Sequence, residues 1–213
     1  MYNLQFSSYQ FTAQIISIIL SYIIGSIPFG LLLTRMLGFK DIRYTGSGNI
    51  GATNVLRNSN KKLAAITLFL DAIKATITFI IVNKLFNYNV GSLAGFAAFL
   101  GHIFPIWLKF KGGKGVSTYL GFLIAVRSDI AILLVVIWVS SALTTGYSSL
   151  SSLFSILIIT IVIWIKYPEI NIPIIFTLMT IIVYWKHIEN IKRLILGSEQ
   201  KIIFKNRNFI KRK

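Results

Sequence analysis

Nine consecutive residues, Gly46-Ser47-Gly48-Asn49-Ile50-Gly51-Ala52-Thr53-Asn54, combine three glycines, two hydroxyls and two amides, with Arg57 three positions on. Glycines let backbone N–H groups approach a ligand closely. Ser47 and Thr53 add hydroxyl donors, Asn49 and Asn54 add amides, and Arg57 adds a planar fork that suits phosphate. A plain turn needs two or three such residues, not nine and an arginine. The run therefore reads as an anion cradle, with Ser47, Gly48, Asn49, Thr53, Asn54 and Arg57 as candidate binding residues.

A second polar element, Phe110-Lys111-Gly112-Gly113-Lys114-Gly115-Val116-Ser117-Thr118, follows Gly101-His102-Ile103-Phe104-Pro105. It is not a Walker loop, which requires glycine six positions before the lysine and Ser or Thr directly after it. Leu108 and Gly115 stand there, and an apolar helix rather than a strand precedes it. Glycines before a lysine at a helix start still offer an anion contact, so Gly112, Gly113 and Lys114 join the candidates. Lys109 and Lys111 need only the bias of loops toward positive charge. His102 alone reads as a packed helix residue.

Two further polar elements complete the set. The uncharged run Thr144-Thr145-Gly146-Tyr147-Ser148-Ser149-Leu150-Ser151-Ser152 suits caps and turns and by itself proves nothing. In Lys186-His187-Ile188-Glu189-Asn190-Ile191-Lys192-Arg193, His187 and Asn190 lie three apart and would share a helix face. Such a pair can hold an imidazole as base or hydrogen-bond partner, although a helix end touching lipid headgroups explains the same residues. Asp71 and Lys74, also three apart, fall within an apolar segment, where mutual pairing accounts for them.

The elements that must position these loops are apolar. The 213 residues are 55% hydrophobic with a mean hydropathy of +0.73, and apolar stretches recur between short polar breaks. That predicts an all-α polytopic membrane protein, one integral-membrane domain over 1–213, with about seven transmembrane helices near 11–37, 63–82, 91–108, 116–126, 130–143, 153–165 and 172–185. The first stretch carries no positive charge before it and reads as a membrane helix, not a cleavable leader. About 20 helical residues cross a bilayer core, so the last four segments must extend at their ends or be partly re-entrant.

Charge orients the bundle. With the N-terminus outside and the C-terminus cytoplasmic, the inner loops, Arg35 and the tail from Lys186 hold 18 of the 22 basic residues. The four polar elements then meet at the cytoplasmic face. The net charge of +16 has its account in this bias, without nucleic acid. No cysteine and only two histidines are present, so neither a thiolate nucleophile nor a metal centre is expected.

Taken together, "GSIPFG" at 25–30, "GSGNIGATNVLR" at 46–57, "LDAIK" at 70–74, "GHIFP" with "FKGGKGVST" at 101–118, and "KHIENIKRLILGSEQK" at 186–201 carry a resemblance. The chain resembles the bacterial acyl-phosphate-dependent glycerol-3-phosphate acyltransferases over nearly its whole length. The resemblance implies seven membrane helices with the N-terminus outside, in the bacterial cytoplasmic membrane. It implies transfer of a fatty acyl group from acyl phosphate to the 1-hydroxyl of glycerol 3-phosphate, giving lysophosphatidic acid and phosphate, with no cofactor. A partner enzyme would supply the acyl phosphate. By position, Ser47, Thr53, Arg57 and Lys114 match the family's phosphate-contacting residues, and Ser149, His187 and Asn190 its remaining polar site residues.

This chain departs from the family at Gly146, where a basic residue usually precedes the tyrosine, and at Ile188, where Arg is common after the histidine. The His and Asp five apart of soluble-headed glycerolipid acyltransferases are absent, since Trp107 follows His102 and Lys192 follows His187 at that distance. An acyl phosphate is already activated, so alignment and charge stabilisation suffice. His187 and a substrate phosphate oxygen are both candidates to take the hydroxyl proton. A transporter for a phosphate-bearing solute would need its polar groups near the midplane, and a lipid-binding structural subunit leaves the run 46–54 unexplained.

Overall fold

The computed structural model describes residues 2–167 and 169–202, and among these the regular structure is all helical, with no strand. The helices are α1 (Tyr2–Gly25), α2 (Phe29–Met36), α3 (Ala52–Asn58), α4 (Lys61–Leu85), α5 (Tyr88–Ile103), α6 (Val116–Val126), α7 (Ser128–Thr145), α8 (Ser148–Lys166), α9 (Asn171–Lys186) and α10 (Ile188–Ile195). Four of them, α4, α5 with the 3₁₀ turn after it, α7 and α8, are long and apolar enough to cross a membrane. Two bent pairs raise that number to six.

The segment expected at 11–37 is one of those pairs: α1 ends at Gly25 and α2 leaves it at 42°. Pro28 lacks an N–H and pushes Ile27 out of the helical region, so the ladder cannot continue. The break frees the carbonyl of Ile27, and Lys74 on α4 donates to it at 3.1 Å. Irregular backbone at membrane depth persists only when such a partner exists. The last segment bends likewise, by 56° at His187 between α9 and α10. Of the four segments expected to need extension, three lengthen, to 18, 19 and 16 residues in α7, α8 and α9. α6 stays at 11, bounded by left-handed Gly115 and extended Arg127.

Close packing centres on α4, α5 and α6. Phe79, Tyr119, Phe122 and Phe176 form an aromatic stack joining α4, α6 and α9, with centroid separations of 5.1–5.7 Å. Gly121 lets α6 lie on the backbone of α4, since a Cβ there would sit 1.9 Å from the carbonyl oxygen of Ala72. The opposite faces of α7 and α8 expose Ile132, Val136, Phe154 and Ile161, as helices in lipid do. α3, the loop before α6, the start of α8 and the bend between α9 and α10 meet at one end of this bundle and carry the polar residues.

Candidate functional site

The loop before α3 folds around one side chain. Asn54 is 1% exposed, and its amide nitrogen donates to the carbonyls of Ile42 (2.8 Å), Asn49 (2.7 Å) and Thr45 (3.1 Å). Its Oδ1 accepts from the Ser47 N–H at 2.9 Å and from Asn58 at 3.0 Å. Asn54 thus holds the cradle's shape from within. Gly46, in the left-handed region at φ 58°, must be glycine for a second reason, because a Cβ would approach Asn54 Oδ1 to 2.3 Å. With the loop pinned, Ser47, Asn49, Thr53 and Arg57 all line one cavity of about 540 Å³.

The glycine–lysine loop reaches the same cavity by close approach to the end of α5. Gly112 and Gly113 donate to the carbonyls of Ile103 and His102 at 3.1 and 3.0 Å. A Cβ on Gly112 would lie 2.2 Å from that His102 oxygen, and one on Gly113 2.1 Å from His102 Nε2. Both glycines therefore shape the wall from behind, and Lys114 projects into the space. Ser149 on α8, His187 at the α9–α10 bend and Asn190 on α10 complete the lining. Of the sequence-derived candidates, only Gly48, Gly112 and Gly113 do not face the cavity themselves. His187 and Asn190 share it across a bend rather than on one continuous helix.

Glu199 was not among those candidates, yet it ties the site together. It accepts from Ser149 at 2.8 Å, Asn190 at 2.6 Å and Arg193 at 2.7 Å. Lys114 in turn donates to Asn190 Oδ1, so cation, amide and carboxylate form one chain. The signal was available: only six acidic residues occur in the chain, and two of them, Glu189 and Glu199, sit in the polar tail motif. Burial alone would raise the Glu199 pKa, but the bonds from Asn190, Arg193 and Ser149 outweigh it and hold the carboxyl below its ordinary value. Burial pushes Arg57 down, opposed by Glu199. Burial also lowers Lys114 to about 8, helped by the nearby charges of Arg193, Arg57 and Lys186 and opposed by Glu199.

Arg57 spans the remaining edge. Its Nη2 donates to the carbonyl of Gln200 at 2.8 Å, while Nε is buried without a protein partner among the described residues. Thr53 and Ser148 share a 3.0 Å hydrogen bond, linking the first loop to α8. At Gly146, where the resemblance implies a basic residue, the backbone adopts φ 79°, and the stem of Lys201 packs beside it with its ammonium over the Tyr147 ring at 5.4 Å. Asp71 and Lys74 pair as expected, at 3.1 Å. Among the described residues no three His, Asp or Glu side chains gather as metal ligands.

Away from the loops, Leu68 on α4, Leu120 on α6 and Leu134, Val135, Trp138 and Val139 on α7 line the cavity. Leu68, Val135 and Val139 are each 42% exposed, so this wall opens to the outer surface of the bundle. Cations at the loops and hydrocarbon along the helices can accommodate an amphiphile with an anionic head.

Fold and site define an all-helical membrane protein with a cation-lined cavity continuous with an apolar groove. The sequence profile of the glycerol-3-phosphate acyltransferase family matches residues 15–197, and the chain belongs to that family. A relative named glycerol-3-phosphate acyltransferase from Agrobacterium fabrum is 52% identical over 86% of this chain and 89% of its own. The one from Allorhizobium ampelinum is 52% identical over 94% and 97%. A crystal structure of PlsY (YgiH), an integral membrane glycerol 3-phosphate acyltransferase, in its glycerol 3-phosphate form superposes with a TM-score of 0.85. It is 34% identical over 89% of this chain and 95% of that one. Its lysophosphatidic acid form gives 0.83 at 33% identity, with the same coverage.

Proposed function

We propose that this protein, acting as one domain over 1–213, transfers a fatty acyl group from acyl phosphate to the sn-1 hydroxyl of glycerol 3-phosphate, releasing lysophosphatidic acid and phosphate. The observation that carries the reading is the single cavity in which Arg57 and Lys114 stand at one side and the α4–α6–α7 groove at the other. An acyl phosphate has this shape, an anionic head on a hydrocarbon tail. Glycerol 3-phosphate is bound by the PlsY of the superposed structure, and both substrates bring phosphate to a cationic pocket.

The hydroxyl oxygen attacks the acyl carbon, the new ester C–O bond forms, and the bond from that carbon to the phosphate oxygen breaks with its electron pair going to phosphate. Arg57 and Lys114 meet the charge on the phosphate, and Ser47 and Thr53 orient it. Ser149 and Asn190 keep Glu199 and Lys114 in register with the acceptor. His187 takes the hydroxyl proton. Its Nδ1 donates to the carbonyl of Val183 at 2.8 Å, which leaves Nε2 as the acceptor on a ring lining the cavity.

The bundle has seven membrane segments when the two bent pairs and the short α6 are counted with the four long spans. The N-terminus is outside and the site faces the cytoplasm of a bacterial cell membrane. The basic loops support that orientation, and a partner enzyme that makes acyl phosphate supplies the donor.

The deciding experiment measures lysophosphatidate formed by purified protein in detergent from glycerol 3-phosphate with palmitoyl phosphate, and in parallel with palmitoyl-CoA. Product from acyl phosphate alone, lost in Arg57→Ala and Lys114→Ala, is expected. No product from either donor by folded protein overturns the reading. In the same assay His187→Ala should lose about 10²-fold or more; a loss of only a few-fold moves the proton to a substrate phosphate oxygen.

A further inference from the structure

One buried group opens onto this cavity with no task in the mechanism above. His102, in the last turn of α5, is 4% exposed and lines the cavity. Its Nδ1 lies 2.9 Å from Lys74 Nζ. An ammonium has three donors and no acceptor, and Lys74 has three acceptors around it: Ile27 O and Asp71 Oδ1, both at 3.1 Å, and His102 Nδ1. Asp71 Oδ1 is farther from Nδ1, at 3.5 Å, and a proton on Nδ1 would set a donor against the ammonium 2.9 Å away. Nδ1 must therefore accept, and the proton of the neutral ring sits on Nε2.

That N–H has no protein acceptor among the described residues, and it lies against the glycine–lysine loop. Gly113 packs so close that a Cβ would come within 2.1 Å of Nε2. The two histidines thus carry opposite tautomers. The His187 Nδ1–H is tied to the Val183 carbonyl, so its Nε2 accepts, whereas His102 presents a donor.

We propose that His102 Nε2–H is a fixed hydrogen-bond donor to the phosphate held beside Lys114, its tautomer set by the buried Lys74–Asp71 pair. This rests on the cavity binding the substrates' phosphate as proposed above. The break at Pro28 belongs to the same device, because the carbonyl it frees takes one of the three Lys74 protons. The intramembrane ion pair then orients a ligand-binding group in addition to closing the fold.

Asparagine and glutamine separate the two ends of the ring. His102→Asn can keep an oxygen near Nδ1 for Lys74 and loses the donor. His102→Gln can place an amide N–H near Nε2 and leaves Lys74 an acceptor short. His102→Asn should keep its thermal midpoint and lose about 10- to 100-fold in kcat/KM. His102→Gln should unfold at lower temperature and retain more activity than His102→Asn.

The unmodified protein gives an independent readout, because its two histidines yield only two sets of imidazole ¹⁵N resonances. His102 should show the Nε2–H tautomer, and its Nε2–H resonance should move on titration with inorganic phosphate. An Nδ1–H tautomer at His102 overturns the proposal. So does a resonance unmoved by phosphate that inhibits the enzyme, or His102→Asn with unchanged kcat/KM. Failure of the unmodified protein to acylate glycerol 3-phosphate would remove the acyltransferase reading instead, and the phosphate titration would still judge His102.

Discussion

Replacing Arg57 by lysine keeps a positive charge at the cavity edge and removes the fork. Two contacts distinguish the side chains. Nη2 donates to the exposed carbonyl of Gln200, where water can substitute. Nε is buried beside the cavity without a protein partner among the described residues, so a substrate oxygen is its natural acceptor. A hydrogen bond involving a charged group contributes about 1.5–3 kcal/mol, and each 1.36 kcal/mol is tenfold in rate. Arg57→Lys should therefore lower kcat/KM about 10- to 150-fold with little change in thermal midpoint. The assay is initial-rate lysophosphatidate formation with palmitoyl phosphate fixed and glycerol 3-phosphate varied, then the reverse. Activity within threefold of the unmodified protein would mean that charge alone matters and that the Nε geometry is idle.

Lys114 gives a pH test with opposite signs for activity and stability. Its pKa is lowered to about 8 by burial and neighbouring cations, so the ammonium is lost as pH rises through 8, and kcat/KM should fall there. Lys114→Arg, which stays charged, should flatten that limb. Between about pH 8 and the ordinary lysine value near 10.5 the unfolded chain binds more protons at this residue than the folded one. Lys114 should therefore make folded-state stability increase with pH across that window, readable in thermal unfolding of protein against Lys114→Met. Asp71→Ala leaves the Lys74 ammonium buried without its counter-ion and should cost about 3–5 kcal/mol. Thermal unfolding in detergent should show a large drop that Asp71→Ala/Lys74→Met partly recovers, and an unchanged midpoint for the single variant would contradict a stabilising pair.

Hydropathy by itself determined that the chain is built from membrane helices. Apolar runs long enough to cross a bilayer leave few other options, and the chain's all-helical structure and membrane family agree with that expectation. The polar elements were equally legible, because glycine, hydroxyl, amide and cation crowded into short loops stand out against an apolar background. Ser47, Thr53, Arg57, Lys114, Ser149, His187 and Asn190 all do line one cavity. Local pattern also sufficed for Asp71 and Lys74, whose spacing is one helical turn.

What the sequence could not decide was each polar group's partner, because those contacts join residues far apart in the chain. Asn54 has the composition of a ligand-binding residue, yet its amide is engaged by the loop's own backbone. Glu199 looks like a tail carboxylate until the bend at His187 brings it against Ser149 and Asn190. His102 reads as a packing residue until Lys74, 28 positions away, faces its Nδ1 and fixes which nitrogen carries the proton. Periodicity and composition report how a residue suits its own helix or loop. Which atom donates to which is set by the three-dimensional packing of the bundle.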